Sequence, residues 1–240
     1  MAKRNQEYVH LVERDGTRYW LKKRGEEKRN PMSLMINGVL TLYKPWAHLT
    51  LHSGLTPAQR FAKELSILGD CQRLNLPIPR LYTAGRAYFV TLCAGKPITE
   101  QQGAKNKTLF HSAFDSLHAL HKEKIIHGRP AMRDMVVNDQ GNVVLLDFEE
   151  ARRSESALLR TRDMFLFMLD SFRLSGVSQK TRLSVLKRWC TTYPLSVVHI
   201  KRLNWFIIKL LWIPKLILHV RKNRLSKQLL LTQRLLSHIK

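Results

Sequence analysis

The chain has 240 residues, enough to form one large domain or two small lobes around a cleft and to bury a substantial core. Apolar residues make up 44% of it and charged residues 25%, a balance that is typical of globular proteins and excludes a disordered chain. Its 41 Lys and Arg residues against 18 Asp and Glu residues give a formal net charge of +23. Such a charge predicts an anionic partner, which could be nucleic acid, anionic lipid or a phosphorylated substrate.

The acidic residues are unevenly spread along the sequence. No Asp or Glu follows Asp170, so every charged side chain in the rest of the chain is basic. A basic surface is therefore predicted there. The first residues contain no apolar run like that of a secretory signal, and we expect the protein to stay in the cytoplasm. The three cysteines, Cys71, Cys93 and Cys190, form no closely spaced pair, which favours free thiols over a metal site.

The N-terminal part of the chain alternates strand and helix patterns. The pattern of residues 7–24 predicts two short strands joined by a turn at Asp15 and Gly16. Residues 25–53 are apolar enough for an amphipathic helix or a strand pair, and both alternatives stay open. A helix is predicted from Thr56, a good N-cap, and a further strand pair follows it with a turn at Gly85.

The second half of the chain is mainly helical in pattern. An apolar stripe predicts a helix over residues 106–122, and a hairpin with its turn at residues 139–141 follows. After this hairpin the pattern stays helical, with breaks at Gly176 and Pro194.

This order of elements predicts an α+β fold in two lobes, because strands come first and helices with one hairpin follow. Residues 1–95 are expected to form a small β-rich N-lobe, and residues 96–193 a helical C-lobe. Residues 194–240 are expected to form a tail of basic amphipathic helices.

One segment, "LHALHKEKIIHGRPAMRDMVV", resembles a motif of the protein-kinase-like superfamily, written "LHxxGxxHxDxxxxNhh" with h for an apolar residue. Leu120, His121 and His127 stand at matching positions, and Asp147 in the following "LLDFEEA" matches the metal-binding Asp of that superfamily. The chain resembles in particular the small bacterial lipopolysaccharide-kinase-like proteins, over roughly residues 8–165. The resemblance implies a two-lobed protein-kinase-like fold.

The resemblance also implies the positions of a nucleotide site. Lys22 in "RYWLKK", with Lys23 as the second choice, matches the lysine that binds the α- and β-phosphates of ATP, and Glu64 matches its ion-pair partner. Asp134 and Asp147 match the residues that bind Mg²⁺, since a carboxylate at the first position keeps the oxygen ligand of the usual Asn. Phosphoryl transfer needs mainly such cations around phosphates and carboxylates around Mg²⁺.

Two features depart from the superfamily pattern. Arg129 stands eighteen positions before Asp147, where the catalytic base is expected, and a positioned base typically contributes about 10²- to 10⁴-fold. Asp134 or Glu149 is the candidate replacement for the base, and Arg129 is expected to contact a phosphate as an internal cation. The second departure is the missing glycine-rich phosphate loop, since the first hairpin contains Gly16 as its single glycine.

Further polar residues near the motif are assigned structural roles. His127 is expected to bond to the backbone, and Asp163 resembles the Asp that accepts hydrogen bonds from the catalytic-loop backbone in the superfamily. His121 is expected to pack within its helix. For Glu149 and Glu150, solvated side chains and site residues both stay open.

The segment of residues 201–222, drawn as one helix, is apolar over most of its surface and leaves a narrow polar stripe. So wide an apolar face is either buried in a core or laid on a bilayer. A transmembrane span is disfavoured because Lys209 and Lys215 near its centre would each cost about 2.5 to 3.5 kcal/mol, and Pro214 interrupts it. A second amphipathic helix follows, whose apolar side contains Leu225, Leu229, Leu236 and Ile239.

Basic amphipathic helices with Trp and Phe bind membrane headgroups, and each basic residue close to an anionic surface contributes about 1 kcal/mol. We therefore expect peripheral attachment to anionic lipid of the inner leaflet, with an ordinary C-lobe core as the alternative. The resemblance implies a glycolipid at the cytoplasmic face of the inner membrane. Nucleic acid is a less favoured partner, because long aliphatic runs and not exposed stacking aromatics separate the basic residues.

The resemblance implies a glycolipid-type substrate, and two functional hypotheses follow when it is combined with these patterns. The first is an ATP- and Mg²⁺-dependent kinase that phosphorylates a hydroxyl of a membrane glycolipid or lipid-linked sugar. The second is a membrane-associated pseudokinase that regulates or scaffolds lipopolysaccharide assembly; Arg129 and the missing glycine loop favour it, and the retained acids oppose it. An RNA-associated kinase-like protein is a third alternative.

Overall fold

An antiparallel sheet of four strands begins the structure, a computed structural model that describes residues 8–25, 55–101 and 105–239. The first elements are β1 (Val9–Arg14), β2 (Thr17–Lys23), α1 (Pro57–Arg73), β3 (Leu81–Ala84) and β4 (Tyr88–Leu92). The strands lie in the order β1-β2-β4-β3. The prediction for residues 25–53 falls, after Gly25, outside the described residues.

The β1–β2 hairpin turns through two residues. Asp15 and Gly16 have φ angles of 52° and 70°, and positive φ at both central residues is what a two-residue type I′ turn requires. Arg14 pairs with Thr17 directly across this turn. The predicted strand pair and the position of its turn are confirmed.

Helix α1 begins with a capping box. The hydroxyl of Thr56 accepts a hydrogen bond from the backbone N–H of Gln59 at 3.2 Å, and the Gln59 side chain accepts one from the backbone N–H of Thr56 at 2.9 Å. The helix packs against the sheet, where the rings of Phe61 and Phe89 lie 5.6 Å apart. Its buried face also includes the charged Glu64, which needs a partner because an unpaired buried charge is costly.

The C-terminal part is helical, with short strands before and after its first helix. Its helices are α2 (Lys105–Lys122), α3 (Ala157–Ser171), α4 (Gln179–Thr192), α5 (Pro194–Leu210), α6 (Trp212–Val220) and α7 (Arg224–Leu236). Its strands are β5 (Lys96–Pro97), β6 (Ile125–Ile126), β7 (Met135–Val137), β8 (Val143–Leu145) and β9 (Arg152–Arg153), paired as β5-β7-β8 and β6-β9. The predicted helix over residues 106–122 and the predicted β7–β8 hairpin are confirmed, and the fold class is α+β.

An apolar core lies between helices α2, α3 and α4. Phe110, Phe114, Phe167 and Trp189 are almost completely buried, and the rings of Phe110 and Phe167 stack at 5.6 Å. The last helices add to the same core the residues Ile200, Ile207, Leu235, Leu236 and Ile239. The C-terminal segment therefore packs onto the rest of the helical part and does not stand apart from it.

The apolar segment of residues 201–222 is interrupted, and drawing it as one helix is wrong. Helix α5 ends at Leu210 and α6 begins at Trp212, with a bend of 47° between them. A proline ring clashes with the carbonyl group of the residue four positions earlier, which for Pro214 is Leu210. Pro214 itself is tolerated in the first turn of α6, where its missing N–H needs no partner.

The apolar surface of α5 and α6 is divided between the core and the exterior. Ile207 faces the core and is buried. The exposed residues include Trp205, Phe206, Trp212, Leu216 and Val220, each of which is 55% exposed or more. Among the described residues no single helix is both long enough and apolar enough to cross a membrane. Helices α5 and α6 taken together, across their bend, have that length and composition.

Helix α7 presents partly polar side chains to the interior. The predicted apolar side is right for Leu236, which is buried, and wrong for Leu225, which is 61% exposed. The inward positions include Ser226, Gln228 and Thr232, all of them buried. The period of apolar residues in this segment therefore does not by itself fix which face is covered.

Candidate functional site

Lys22 lies in strand β2 and reaches across to helix α1. Its Nζ lies 2.8 Å from Glu64 Oε1, so the predicted ion pair between strand and helix is present. Side chains alternate along a strand, and Lys23, the second choice for the phosphate-binding lysine, is exposed on the other face. Lys22 is therefore the lysine of this pair that the fold directs inward.

Two further carboxylates surround Lys22. Its Nζ lies 3.2 Å from Glu149 Oε1 and 3.7 Å from Asp147 Oδ1. Burial lowers the pKa of Lys22, but the three acids outweigh burial and raise the pKa, so the ammonium group stays protonated. Burial raises the pKa of Glu64 to about 7, against the opposing charge of Lys22. The result is a fixed cation where the sheet meets the helical part.

Asp147 follows strand β8 in a left-handed backbone conformation, with a φ of 61°. Such a φ is uncommon outside glycine, although Asp and Asn tolerate it better than other residues. The preceding residue is held twice: His127 Nε2 donates to the carbonyl of Leu146 at 2.9 Å, and the N–H of Leu146 donates to the carbonyl of Asp134 at 2.8 Å. These bonds fix the backbone that carries the Asp147 carboxylate.

The carboxylate of Asp147 lies between two cations. Its Oδ1 faces Lys22, and its Oδ2 pairs with the guanidinium of Arg129. Burial raises the pKa of Asp147, but Lys22 and Arg129 outweigh burial and hold the pKa below its usual range. Arg129, which stands where a base is expected, is therefore the ion-pair partner of the predicted metal ligand.

Asp134 ends a short 3₁₀ turn, Met132–Asp134, directly before strand β7. Its Oδ2 atom is buried without a hydrogen-bond partner and lies 3.6 Å from Nε of Arg133, a distance too long for a hydrogen bond. Burial, and then the charge of Asp147, raise the pKa of Asp134. A buried carboxylate oxygen that lacks a donor is a favourable place for a cation.

The acids of this cluster fit Mg²⁺ if a substrate supplies part of the coordination shell. Among residues 8–25, 55–101 and 105–239, no three His, Cys, Asp or Glu side chains converge into a complete metal site. Mg²⁺ usually takes one or two protein carboxylates and completes its shell with water and substrate phosphates, a demand that Asp134 and Asp147 meet. The cluster contains four acids and three cations: Glu64, Asp134, Asp147, Glu149, Lys22, Arg129 and Arg133. This local excess of acid lies in a chain whose net charge is +23.

The loop before β7 is tied down by a fully buried carboxylate. Asp163 in α3 accepts hydrogen bonds from the backbone N–H groups of His127 at 2.7 Å and Gly128 at 2.9 Å. His121 Nε2 lies 3.3 Å from the same carboxylate, and His121 Nδ1 accepts from the indole N–H of Trp189 at 3.3 Å. The backbone contacts predicted for Asp163 and His127 are confirmed, and His121 is hydrogen-bonded as well as packed.

Gly128 in this loop has a φ of 90°, and a Cβ atom there would lie 2.5 Å from the carbonyl oxygen of Glu150. Arg162 spans the same contact, since its Nη2 donates to the carbonyl of Gly128 at 2.8 Å and pairs with Glu150 at 2.9 Å. Glu150 is thus engaged by Arg162, and Glu149 is engaged by Lys22. No motif or spacing in the sequence marks Arg162 for this role.

No protein-family model matches this chain. It is similar to an uncharacterized protein of Haemophilus influenzae, with 26% identity over 223 residues that cover 88% of this chain and 84% of the other. The similarity extends over most of both chains and adds no activity, substrate or partner to the structural observations.

Proposed function

We propose that the protein is a kinase-like phosphotransferase that uses ATP and Mg²⁺ to phosphorylate a hydroxyl of a membrane glycolipid or lipid-linked sugar. The observation that carries this proposal is the position of Lys22, an inward-facing cation held by the buried Glu64 and lying beside Asp147. Phosphoryl transfer depends on fixed cations and acids of this kind around the phosphates and the metal. The arrangement agrees with the resemblance of the motif to the protein-kinase-like superfamily.

Each residue of the cluster has a role in this proposal. Lys22 would bind the phosphates of ATP, and Glu64 would hold its ammonium group in place. Asp134 and Asp147 would hold Mg²⁺, which neutralises phosphate charge when it is bound. The left-handed backbone at Asp147 supports its role, because conformations of this kind concentrate at functional sites.

The transfer step also needs an acceptor for a proton. The oxygen of the acceptor hydroxyl forms a bond to the γ-phosphorus, the bond from this phosphorus to the β–γ bridging oxygen breaks, and ADP leaves. Asp134 is the best candidate to accept the hydroxyl proton. Burial and the charge of Asp147 raise its pKa, which makes it a stronger base than an ordinary Asp. Asp134 loses basicity when it binds metal, so we expect a slow kinase that depends mainly on positioning.

The other candidate for the base, Glu149, is weaker. Glu149 is already engaged with Lys22 at 3.2 Å. Arg129 is excluded as a base because guanidinium groups stay protonated in proteins. In the proposed reaction Arg129 instead contacts the transferred phosphate, as a cation next to Asp147.

The membrane part of the proposal rests on the surface of α5 and α6. Large apolar and basic side chains are exposed side by side there: Trp205, Phe206, Lys209, Trp212, Lys215 and Leu216. No Asp or Glu follows Asp170 in the sequence, so this surface complements an anionic bilayer in both charge and apolarity. The proposal therefore includes peripheral attachment to the cytoplasmic face of the inner membrane, with a glycolipid and not a nucleic acid as the partner.

A pseudokinase is the second candidate, and the pairing of Arg129 with Asp147 favours it. With Lys22 at Oδ1 and Arg129 at Oδ2, both oxygens of Asp147 already face a cation of the protein itself. An internal guanidinium could then replace the charge of a metal ion and leave a membrane-bound scaffold of lipopolysaccharide assembly. The Oδ2 of Asp134 opposes this candidate, because this buried oxygen accepts no hydrogen bond and its ion pair with Arg133 is long, at 3.6 Å.

Transfer of the γ-phosphate of radiolabelled ATP to a bacterial membrane lipid extract tests the proposal. The full chain is assayed with Mg²⁺ beside two variants. Asp147→Asn removes a metal ligand with little change of shape, and Asp139→Asn removes an exposed acid of the β7–β8 turn as the matched control. We expect labelled lipid with the wild type and the control, and a loss of at least about 10²-fold with Asp147→Asn.

The other outcomes of this assay separate the candidates. If Asp147→Asn labels lipid as well as the wild type does, the site assignment is wrong. If the wild type binds ATP with Mg²⁺ but labels no lipid in any extract, the pseudokinase is favoured over the kinase.

A further inference from the structure

A cavity of about 390 Å³ lies between the α3–α4 connection and the first turns of α7. Its wall includes Phe172, Val177, Arg182, Arg224, Lys227 and Gln228. None of the described residues that line this cavity belongs to the cluster around Lys22. Of these lining residues, three are cationic and none is acidic, so the cavity is positively charged.

Arg182 is the buried cation of this wall. Its guanidinium donates to Ser171 Oγ at 2.9 Å, to the carbonyl of Ser171 at 2.8 Å, and to the carbonyls of Leu174 and Val177. The guanidinium carbon also lies 4.2 Å from the ring centre of Phe172. These neutral partners orient the guanidinium without supplying negative charge, and burial lowers its pKa to about 10. A buried cation of this kind is stabilised when an anion joins it.

Helix α7 supplies the other donors of the wall. Arg224 and Lys227 lie in its first turns and are exposed. Gln228 is 5% exposed, and its side-chain nitrogen is buried without a hydrogen-bond partner. An unpaired buried donor costs free energy, and the N-terminal end of a helix attracts anions. The wall therefore combines an unused donor with charges of one sign.

We infer that this cavity binds a phosphate group, either as the free anion or as part of a lipid headgroup. Phosphate has more acceptor oxygens and more charge than a carboxylate, which suits three cationic side chains and an amide donor. The inference is independent of the proposed kinase activity, because it rests on other residues.

Calorimetric titration of the full chain with inorganic phosphate at low ionic strength tests the inference. The test variant combines Arg224→Ala with Lys227→Ala and removes two charges from the wall. The matched control combines Arg221→Ala with Arg234→Ala, which are exposed positions next to α7 or within it that do not line the cavity. Both variants lose the same charge, so diffuse attraction of the anion falls equally in the two.

We expect saturable phosphate binding by the wild type, a loss of affinity of at least about tenfold in the test variant and a change within about twofold in the control. Lys22→Ala is expected to keep this binding, which separates the cavity from the cluster around Lys22. The inference is wrong if the wild type shows no saturable binding, if both double variants lose affinity equally, or if Lys22→Ala abolishes it.

A further variant, Gln228→Glu, places an acid inside the wall. The new carboxylate would supply the missing negative charge to Arg182 from within the chain. Phosphate binding should then be lost, while the midpoint of thermal unfolding stays the same or rises. Phosphate affinity equal to that of the wild type in this variant would contradict the inference.

Flotation with vesicles identifies the source of the phosphate group. The vesicles contain phosphatidylcholine with or without phosphatidic acid, whose headgroup is a phosphate monoester. If a headgroup is the ligand, the test variant binds the phosphatidic-acid vesicles less than the control does, and excess free phosphate competes. If the free anion is the ligand, both double variants bind these vesicles equally, although the test variant has lost phosphate binding in solution.

Discussion

The guanidinium of Arg129 pairs with the carboxylate of Asp147, and the same carboxylate lies 3.7 Å from Lys22 Nζ. One acid thereby joins the loop before β7 to the N-terminal sheet. Arg129, which stands where a catalytic base is expected, is instead a cation paired with Asp147, the predicted metal ligand. Mg²⁺ and Arg129 are consequently competitors for Asp147 in the proposed site.

Replacing Arg129 by Gln should strengthen Mg²⁺ binding, because the substitution removes the competing cation from Asp147. The Arg129 side chain is 46% exposed, so solvent screens the pair and the expected gain is about 1 kcal/mol, or roughly fivefold in affinity. The Mg²⁺ concentration that gives half-maximal nucleotide binding measures this gain. Arg188→Gln, which breaks an exposed pair with Asp115, should leave that concentration unchanged. A concentration that does not fall in Arg129→Gln argues against competition.

Lys22→Met should lower the free energy of unfolding by an amount that increases with pH. The pKa of Glu64 is raised to about 7 from an ordinary value of 4.5, so the stability linked to its proton is fully present below 4.5 and lost as the pH rises through 7. Without Lys22 the pKa of Glu64 rises further. Above a pH of about 7, the variant therefore loses up to about 1.4 kcal/mol per pH unit relative to the wild type.

Denaturant unfolding at about pH 6 and about pH 9 measures this difference. Lys23→Met is the matched control, since Lys23 is exposed on the other face of the same strand. It should change the free energy of unfolding by no more than about 0.5 kcal/mol at either pH. An equal loss at both pH values in Lys22→Met would show that the ionisation of Glu64 does not depend on Lys22.

Asp163→Asn should destabilise the protein by about 2 to 4 kcal/mol. The Asp163 carboxylate accepts from the backbone N–H groups of His127 and Gly128 and contacts His121, and an amide has one oxygen for these donors. Urea unfolding measures the loss. Asp115→Asn, at an exposed acid of α2, is the control and should stay within about 0.5 kcal/mol of the wild type. A loss as small as that of the control would show that the buried carboxylate does not hold the loop.

Trp205→Ser combined with Trp212→Ser should weaken binding to anionic vesicles by at least about tenfold, because both rings are exposed on the proposed membrane surface. Flotation with phosphatidylglycerol vesicles measures the bound fraction. Trp20→Ser, which removes an exposed Trp from strand β2, should leave the bound fraction unchanged. Equal binding by the double variant and the wild type would remove α5 and α6 from the attachment surface and leave them as a surface for another protein.

Local sequence was sufficient to predict several elements of the fold. The β1–β2 hairpin could be predicted because Asp15 and Gly16 accept positive φ angles, which few other residue pairs do. Helix α1 could be predicted because Thr56 is a good N-cap, and the structure adds that Thr56 and Gln59 form a capping box. In both places a short stretch contains all the interactions that decide the conformation.

The contacts of the site depend on tertiary structure and were only partly predictable. The motif located Arg129 and Asp147 in the sequence, but neither their ion pair nor the left-handed backbone at Asp147 follows from the spacing. Arg162 acts through Gly128 and Glu150 after the chain has folded back, so it has no local signal. The inward polar face of α7 was likewise missed, because its neighbours decide which side of an amphipathic helix is covered.

Calorimetric binding of ATP, with and without Mg²⁺, tests most directly the central claim that Lys22, Asp134 and Asp147 form a magnesium–nucleotide site. We predict that the wild type binds ATP at least about tenfold more tightly with Mg²⁺ than without it. Lys22→Met and Asp147→Asn should each lose at least about tenfold in affinity, while the controls Lys23→Met and Asp139→Asn bind as the wild type does. Absence of ATP binding by the wild type with Mg²⁺, or full affinity in Lys22→Met, would contradict the account.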